Sequence, residues 1–159
     1  MTTNWFAVID GAQDVRLAPL VRSTRDHACL FAGTLAPELE IAAPWIARMD
    51  PSEQLLPTWQ LHGQGLNWGI MIEAQVTMAE VRNRLRRFLQ AKLPDGMIAL
   101  FRFYDPRVFN TYIRAATADE RARWFDGGIL QYAVEGADGT THQYRLRGAQ
   151  LVDGHDVVG

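Results

Sequence analysis

Few residues in this chain stand at spacings that do chemistry. The four histidines, His27, His62, His142 and His155, form no His-Glu-x-x-His array, and none has a second His or Cys at metal-ligand spacing. Cys29 lies in the apolar stretch Ala28-Cys29-Leu30-Phe31 and reads as a small buried hydrophobe. A nucleophile pair with His27 is the one covalent chemistry its surroundings offer. Ser23 and Ser52 are the only serines, and neither sits in a Gly-x-Ser-x-Gly elbow. Gly11 stands alone, and Gly63-Gln64-Gly65 is followed by Trp68 where a third glycine would be needed, so no loop is built to cradle phosphates. Carboxylates are plentiful, but no pair is set apart by a motif. Two basic features remain. Arg82, Arg84, Arg86 and Arg87 fit the solvated face of a helix or a contact with phosphates or an acidic partner. No aromatics interleave them as a single-strand nucleic-acid platform would require. The segment from Phe101 to Val108 is denser: Arg102 and Arg107 flank Asp105, a carboxylate able to cap a helix and to pair with a guanidinium.

The elements that must position these residues follow from apolar periodicity and end signals. Trp5–Ile9 reads as a buried strand closed by the Asp10-Gly11 turn. Residues 13–22 can form a helix burying Val15, Leu17, Leu20 and Val21, and 28–31 a short strand. Pro37 and Pro44 mark 35–44 as irregular, and 45–49 as a third strand. Asp50-Pro51 with Glu53 is a helix start, limited by Pro57. Residues 66–74 form a further strand. Thr77 to Glu80 is a capping box, and the helix behind it puts Met78, Val81, Leu85, Phe88 and Leu89 on one face. After the Pro94-Asp95-Gly96 turn, the run Met97–Phe101, continuing through Tyr104, reads as a central strand covered on both faces. Alternation then sets Arg102 opposite Phe101 and Phe103, with Asp105 the nearest carboxylate for it. Asp105-Pro106 opens a helix carrying Phe109, Tyr112, Ile113 and Ala116 on one face. A second capping box, Thr117 to Glu120, opens a short helix with Trp124 and Phe125 near its end, stopped by Gly127-Gly128. Residues 129–134 and 141–147 make a hairpin. Strands alternating with helices indicate an α/β fold: a single domain over 5–147 with a mixed, mostly covered β-sheet, flanking helices and a C-terminal β-hairpin. The Gly-rich residues 148–159 are expected to be a tail, or the start of a further lobe.

Composition bounds the rest. A chain of 159 residues, 48% hydrophobic, fits one domain with its own core. One cysteine excludes a disulfide scaffold, and a net charge of −2 excludes a bulk basic coat for nucleic acid. The charge is nonetheless uneven: residues 1–80 hold 4 Arg against 9 Asp and Glu, whereas residues 81–159 hold 12 Arg and Lys against 9. Such polarity can steer a partner. No apolar run approaches the roughly 18 residues of a membrane span. The first residues lack the basic-then-apolar pattern of a signal peptide, so a cytoplasmic protein is expected.

An ordered series of short motifs completes the reading: Ala7-Val8-Ile9-Asp10-Gly11-Ala12, Phe31-Ala32-Gly33, Ala43-Pro44-Trp45, Asn67-Trp68-Gly69-Ile70, Leu85 to Leu89, Pro94-Asp95-Gly96, and Arg102-Phe103-Tyr104-Asp105-Pro106-Arg107. On these the chain, over about residues 5–130, resembles the N-terminal common domain of the type VI secretion effector chaperones, the Tap/Tec-type adaptors. The resemblance implies a protein without catalysis, cofactor or metal. It would bind a toxic effector in the bacterial cytoplasm and help load it onto the VgrG spike, with no role for nucleic acid or membrane insertion. It further implies that Arg102, Tyr104, Asp105 and Arg107 contribute to a partner surface, and that many relatives continue into a variable C-terminal lobe. The competing readings are an enzyme of unrecognised type, working through carboxylates or His27 and Cys29, and a purely oligomerising subunit.

Overall fold

The structure is a computed structural model that describes residues 2–159. Its frame is an eight-stranded sheet built around β1 (Asn4–Asp10). β1 pairs on one side with β3 (Pro44–Arg48), which carries the edge strand β2 (His27–Cys29). On its other side it pairs with β4 (Gly69–Ala74). From β4 the sheet continues through β7 (Ile129–Glu135), β8 (Thr141–Arg147), β9 (Gln150–Asp153) and β10 (Asp156–Val157). Every pairing is antiparallel. The α/β class, the single domain and the C-terminal hairpin agree with the sequence reading; the antiparallel pairing is the refinement.

β1 is covered on both faces, which explains its uninterrupted apolar run. Phe6 and Val8 join the larger core, against Val81 and Leu85 of α4 (Met78–Arg86), Phe109 and Ile113 of α5 (Pro106–Ala115), and Trp124 of α6 (Ala118–Trp124). Ala7 and Ile9 point the other way. They meet Leu17 and Val21 of α1 (Leu17–Arg22), Leu55 at the start of α3 (Leu55–His62), and Trp68. The capping signals act as their chemistry suggests. Thr117 and Glu120 form the reciprocal box at α6, and Thr77 Oγ accepts from the Glu80 amide at α4. No described helix is long and apolar enough to cross a membrane.

Four local expectations are corrected. Residues 35–44 contain α2 (Pro37–Ala42), because Pro37 occupies the first helical turn, where its missing amide hydrogen is no loss. Asp50 caps a tight turn at Ser52, and α3 starts only at Leu55, which leaves Pro57 in the tolerant first turn. The run from Met97 is not a central strand. Its residues Ile98–Leu100 form β6, which pairs only with β5 (Gln90–Lys92) in a separate two-stranded ribbon, and Tyr104 lies in a turn beyond it. The Pro94-Asp95-Gly96 turn returns the chain directly onto β5, while both edges of β1 are already taken by β3 and β4. Finally, the Gly-rich end is not a loose tail: β9 and β10 extend the sheet and bury Leu151 and Val152.

Candidate functional site

Three of the motifs, far apart in sequence, meet at the C-terminal end of β1. The Asp10 amide donates to the Trp68 carbonyl at 2.8 Å, which joins the first motif to the fourth. Gly69 must be glycine here, since a Cβ would stand 2.0 Å from the Val8 carbonyl oxygen. The preceding loop is tied down by Glu135, whose carboxylate accepts from the Gly65 and Asn67 amides, each at 2.6 Å. Asn67 itself sits at φ 55°, a left-handed conformation that asparagine tolerates.

The Asp10 side chain is 1% exposed. It accepts from the Ala12 amide and from Gln13 Nε2, both at 3.1 Å, and from Arg102 Nη2. Arg102 therefore pairs with Asp10, not with Asp105 as expected from sequence proximity. Its backbone lies in a turn closed by the Asp105 amide on the Arg102 carbonyl, 3.1 Å, so strand alternation is not what orients it. That turn drives Phe103 and Tyr104 inward, with Phe103 edge-on to Trp124. The Arg102 guanidinium lies 5.8 Å from the Tyr104 ring centroid, in cation–π range. Burial, reinforced by the Asp10 charge, pushes the Tyr104 phenol up to about 12.

Asp105 is the N-cap of α5, accepting from the Arg107 amide at 2.9 Å. The same carboxylate grips the Arg107 side chain in bidentate fashion, through Nε at 3.0 Å and Nη2 at 2.8 Å. Burial works to raise the Asp105 carboxyl, but the bonds from Arg107 outweigh it and hold the group below its usual range. Both arginines are anchored by buried carboxylates yet keep outward surface: the Arg102 side chain is 45% exposed and that of Arg107 62%. Arg107 also borders a cleft of about 610 Å³ with Asn110, Glu135 and His142. The arrangement presents fixed guanidinium N–H groups, suited to holding a carboxylate or carbonyl on an incoming surface.

Arg102, Tyr104, Asp105 and Arg107 thus form one contiguous group, but only the two arginines reach the surface; Tyr104 and Asp105, also expected on a partner surface, are buried beneath them. Asp10 and Gln13 are members that sequence reasoning did not place there. The signal was present in the Asp10 of the first motif, but it read only as half of a turn. No hydrogen bond joins His27 to Cys29 among the described residues. His27 Nδ1 is engaged by the Thr24 carbonyl at 2.9 Å, and burial pushes the Cys29 thiol up, away from thiolate.

No curated protein and no solved structure matches the chain. A family model described as a domain of unknown function, DUF4123, matches residues 5–123. That span runs from β1 into α6, takes in all three converging motifs, and leaves out the strands β7 to β10. With most of its length inside the match, together with Asp10, Gln13, Trp68, Gly69 and the 102–107 signature, the chain belongs to the DUF4123 family.

Proposed function

We propose that the protein is a non-catalytic adaptor that binds a toxic effector and helps load it onto the VgrG spike of a type VI secretion system. The observation that carries this reading is the coincidence of two spans. The DUF4123 match covers the ordered motifs on which the resemblance to type VI secretion adaptors rests, ending seven residues short of where that resemblance was drawn. The site adds support of a chemical kind. Every oxygen of Asp10 and Asp105 is engaged in holding backbone or guanidinium groups, an arrangement that shapes a surface more readily than it moves protons. On this reading the action is stoichiometric association in the bacterial cytoplasm, with Arg102 and Arg107 among the anchors.

The test is tagged co-expression with an effector of a type VI secretion system and with a VgrG tail, chosen from genes adjacent to this one, followed by size exclusion with light scattering. A defined stoichiometric complex with either is the expected result. A chain that elutes alone from both overturns the reading.

A further inference from the structure

The arginine-rich stretch is not used by the site at β1, and it borders the exposed β5–β6 ribbon. Residues 81–94 hold five cations, Arg82, Arg84, Arg86, Arg87 and Lys92, and no carboxylate. Between α4, α6 and the β5–β6 ribbon lies a cleft of about 790 Å³, where Arg84, Arg87, Lys92 and Arg123 surround Phe101 and Tyr112. Its two carboxylates are already occupied. Asp126 pairs with Arg84 at 3.3 Å, and Glu120 accepts from Tyr112 Oη and from the Thr117 amide. Arg87, Lys92 and Arg123 have no carboxylate within ion-pairing distance among the described residues. A second cleft of about 700 Å³ adjoins the first, since Arg87 and Gln90 line both, and it adds Arg86 and Leu100.

The ribbon supplies apolar surface beside this charge. Lys92 stands opposite Ile98 and Gln90 opposite Leu100, so these four side chains share one face. Ile98 is 65% exposed and Leu100 49%. Each strand of the ribbon also has one edge with no backbone partner among the described residues. Unpaired edges of this kind accept an added strand.

We infer that the face formed by α4, α6 and the β5–β6 ribbon is a docking surface for an extended acidic segment of a partner protein, with aliphatic residues alternating with its carboxylates. The carboxylates meet Arg87, Lys92 and Arg123. The aliphatic side chains cover Ile98, Leu100 and Phe101, and the segment's backbone runs along a ribbon edge. Nucleic acid fits less well, because phosphates leave the exposed Ile98 and Leu100 uncovered. The inference rests on the adaptor reading for the identity of the protein that brings the segment, and on the surface itself for its chemistry.

The experiment titrates the full chain with a fluorescein-labelled peptide of alternating Glu and Leu, about ten residues long, which runs past both ends of the three-residue ribbon strands. Alternating Lys-Leu, alternating Glu-Ser and an oligothymidine serve as controls. The Glu-Leu peptide is expected to bind best, and more weakly as salt rises. Binding should fall about tenfold or more in Arg87→Glu/Arg123→Glu and in Ile98→Ser/Leu100→Ser. Both double variants are also tested in the co-expressed complex, by the same size-exclusion readout. Equal binding of all peptides, tighter binding of the oligothymidine, or indifference to both double variants overturns the docking surface. If a complex with effector or VgrG forms and neither pair of substitutions weakens it, the adaptor reading stands and this surface falls. If the Glu-Leu peptide binds as expected but neither neighbouring protein does, the surface stands and the adaptor reading falls.

Discussion

Asp10 and Arg102 form a pair whose halves are not equivalent. Asp10 is buried, whereas Arg102 is half in water. Removing Arg102 strands a buried carboxylate with only the Ala12 amide and Gln13 for company. Removing the Asp10 charge leaves a guanidinium that water can reach. Arg102→Ala is therefore expected to cost about 3 kcal/mol, and Asp10→Asn about 1 kcal/mol, as read by urea denaturation. The reverse order would refute the geometry. Asp105 and Arg107 divide differently. Asp105→Ala loses both a helix cap and an ion pair, for about 1–2 kcal/mol. Arg107→Ala removes the exposed half and leaves Asp105 its bond to the backbone amide of residue 107, so it should destabilise less than Asp105→Ala while weakening partner capture. The Asp105 term also has a pH signature. Its folded pKa lies below the ordinary 3.8, so its stabilisation is complete above about pH 3.8 and is lost as pH falls through the folded value. The gap in melting temperature between the protein and Asp105→Ala should narrow only below that pH.

Among the elements, β4 is the most constrained. It runs so close to β1 at Gly69 that a single added carbon must displace backbone. Gly69→Ala should cost about 2–3 kcal/mol by thermal or urea unfolding, and a neutral result would mean the two strands are not so closely seated. The ribbon is the opposite case. Ile98 and Leu100 are exposed, so serine at both should leave the melting temperature within a degree or two, since surface changes outside packed sites usually stay within about 0.5 kcal/mol.

For the whole molecule, the question is how the last strands are held. β9 buries Leu151 and Val152, and Asp153 gathers His142 Nδ1 at 2.6 Å and Arg114 Nη2 at 2.8 Å. Arg114 also donates to Tyr144 Oη, which donates in turn to Asn110 Oδ1 at 2.6 Å. β8, β9 and α5 are thereby one polar network over one core. Ending the chain at Gly148 removes two buried aliphatic residues and leaves one edge of β8 without a partner. It should cost about 4 kcal/mol or more, seen as a lower urea midpoint. An unchanged midpoint would mean these strands are appended, not integral.

Much of this was legible in the sequence because it depends on neighbours in the chain. The cap at Asp105, the boxes at Thr77 and Thr117, the buried faces of α4 and α5, and the hairpin from Ile129 to Arg147 are set by residues three or four apart, or by strictly alternating ones. The 102–107 signature was visible for the same reason. Tertiary structure alone decided what depends on competition for partners. The apolar run at Met97 and the one at Trp5 look alike as strings. Only β1 found both edges and both faces occupied, while β6 was captured at once by its own turn. Arg102 was likewise open to any carboxylate that the fold delivered, and the fold delivered Asp10 from 92 residues away.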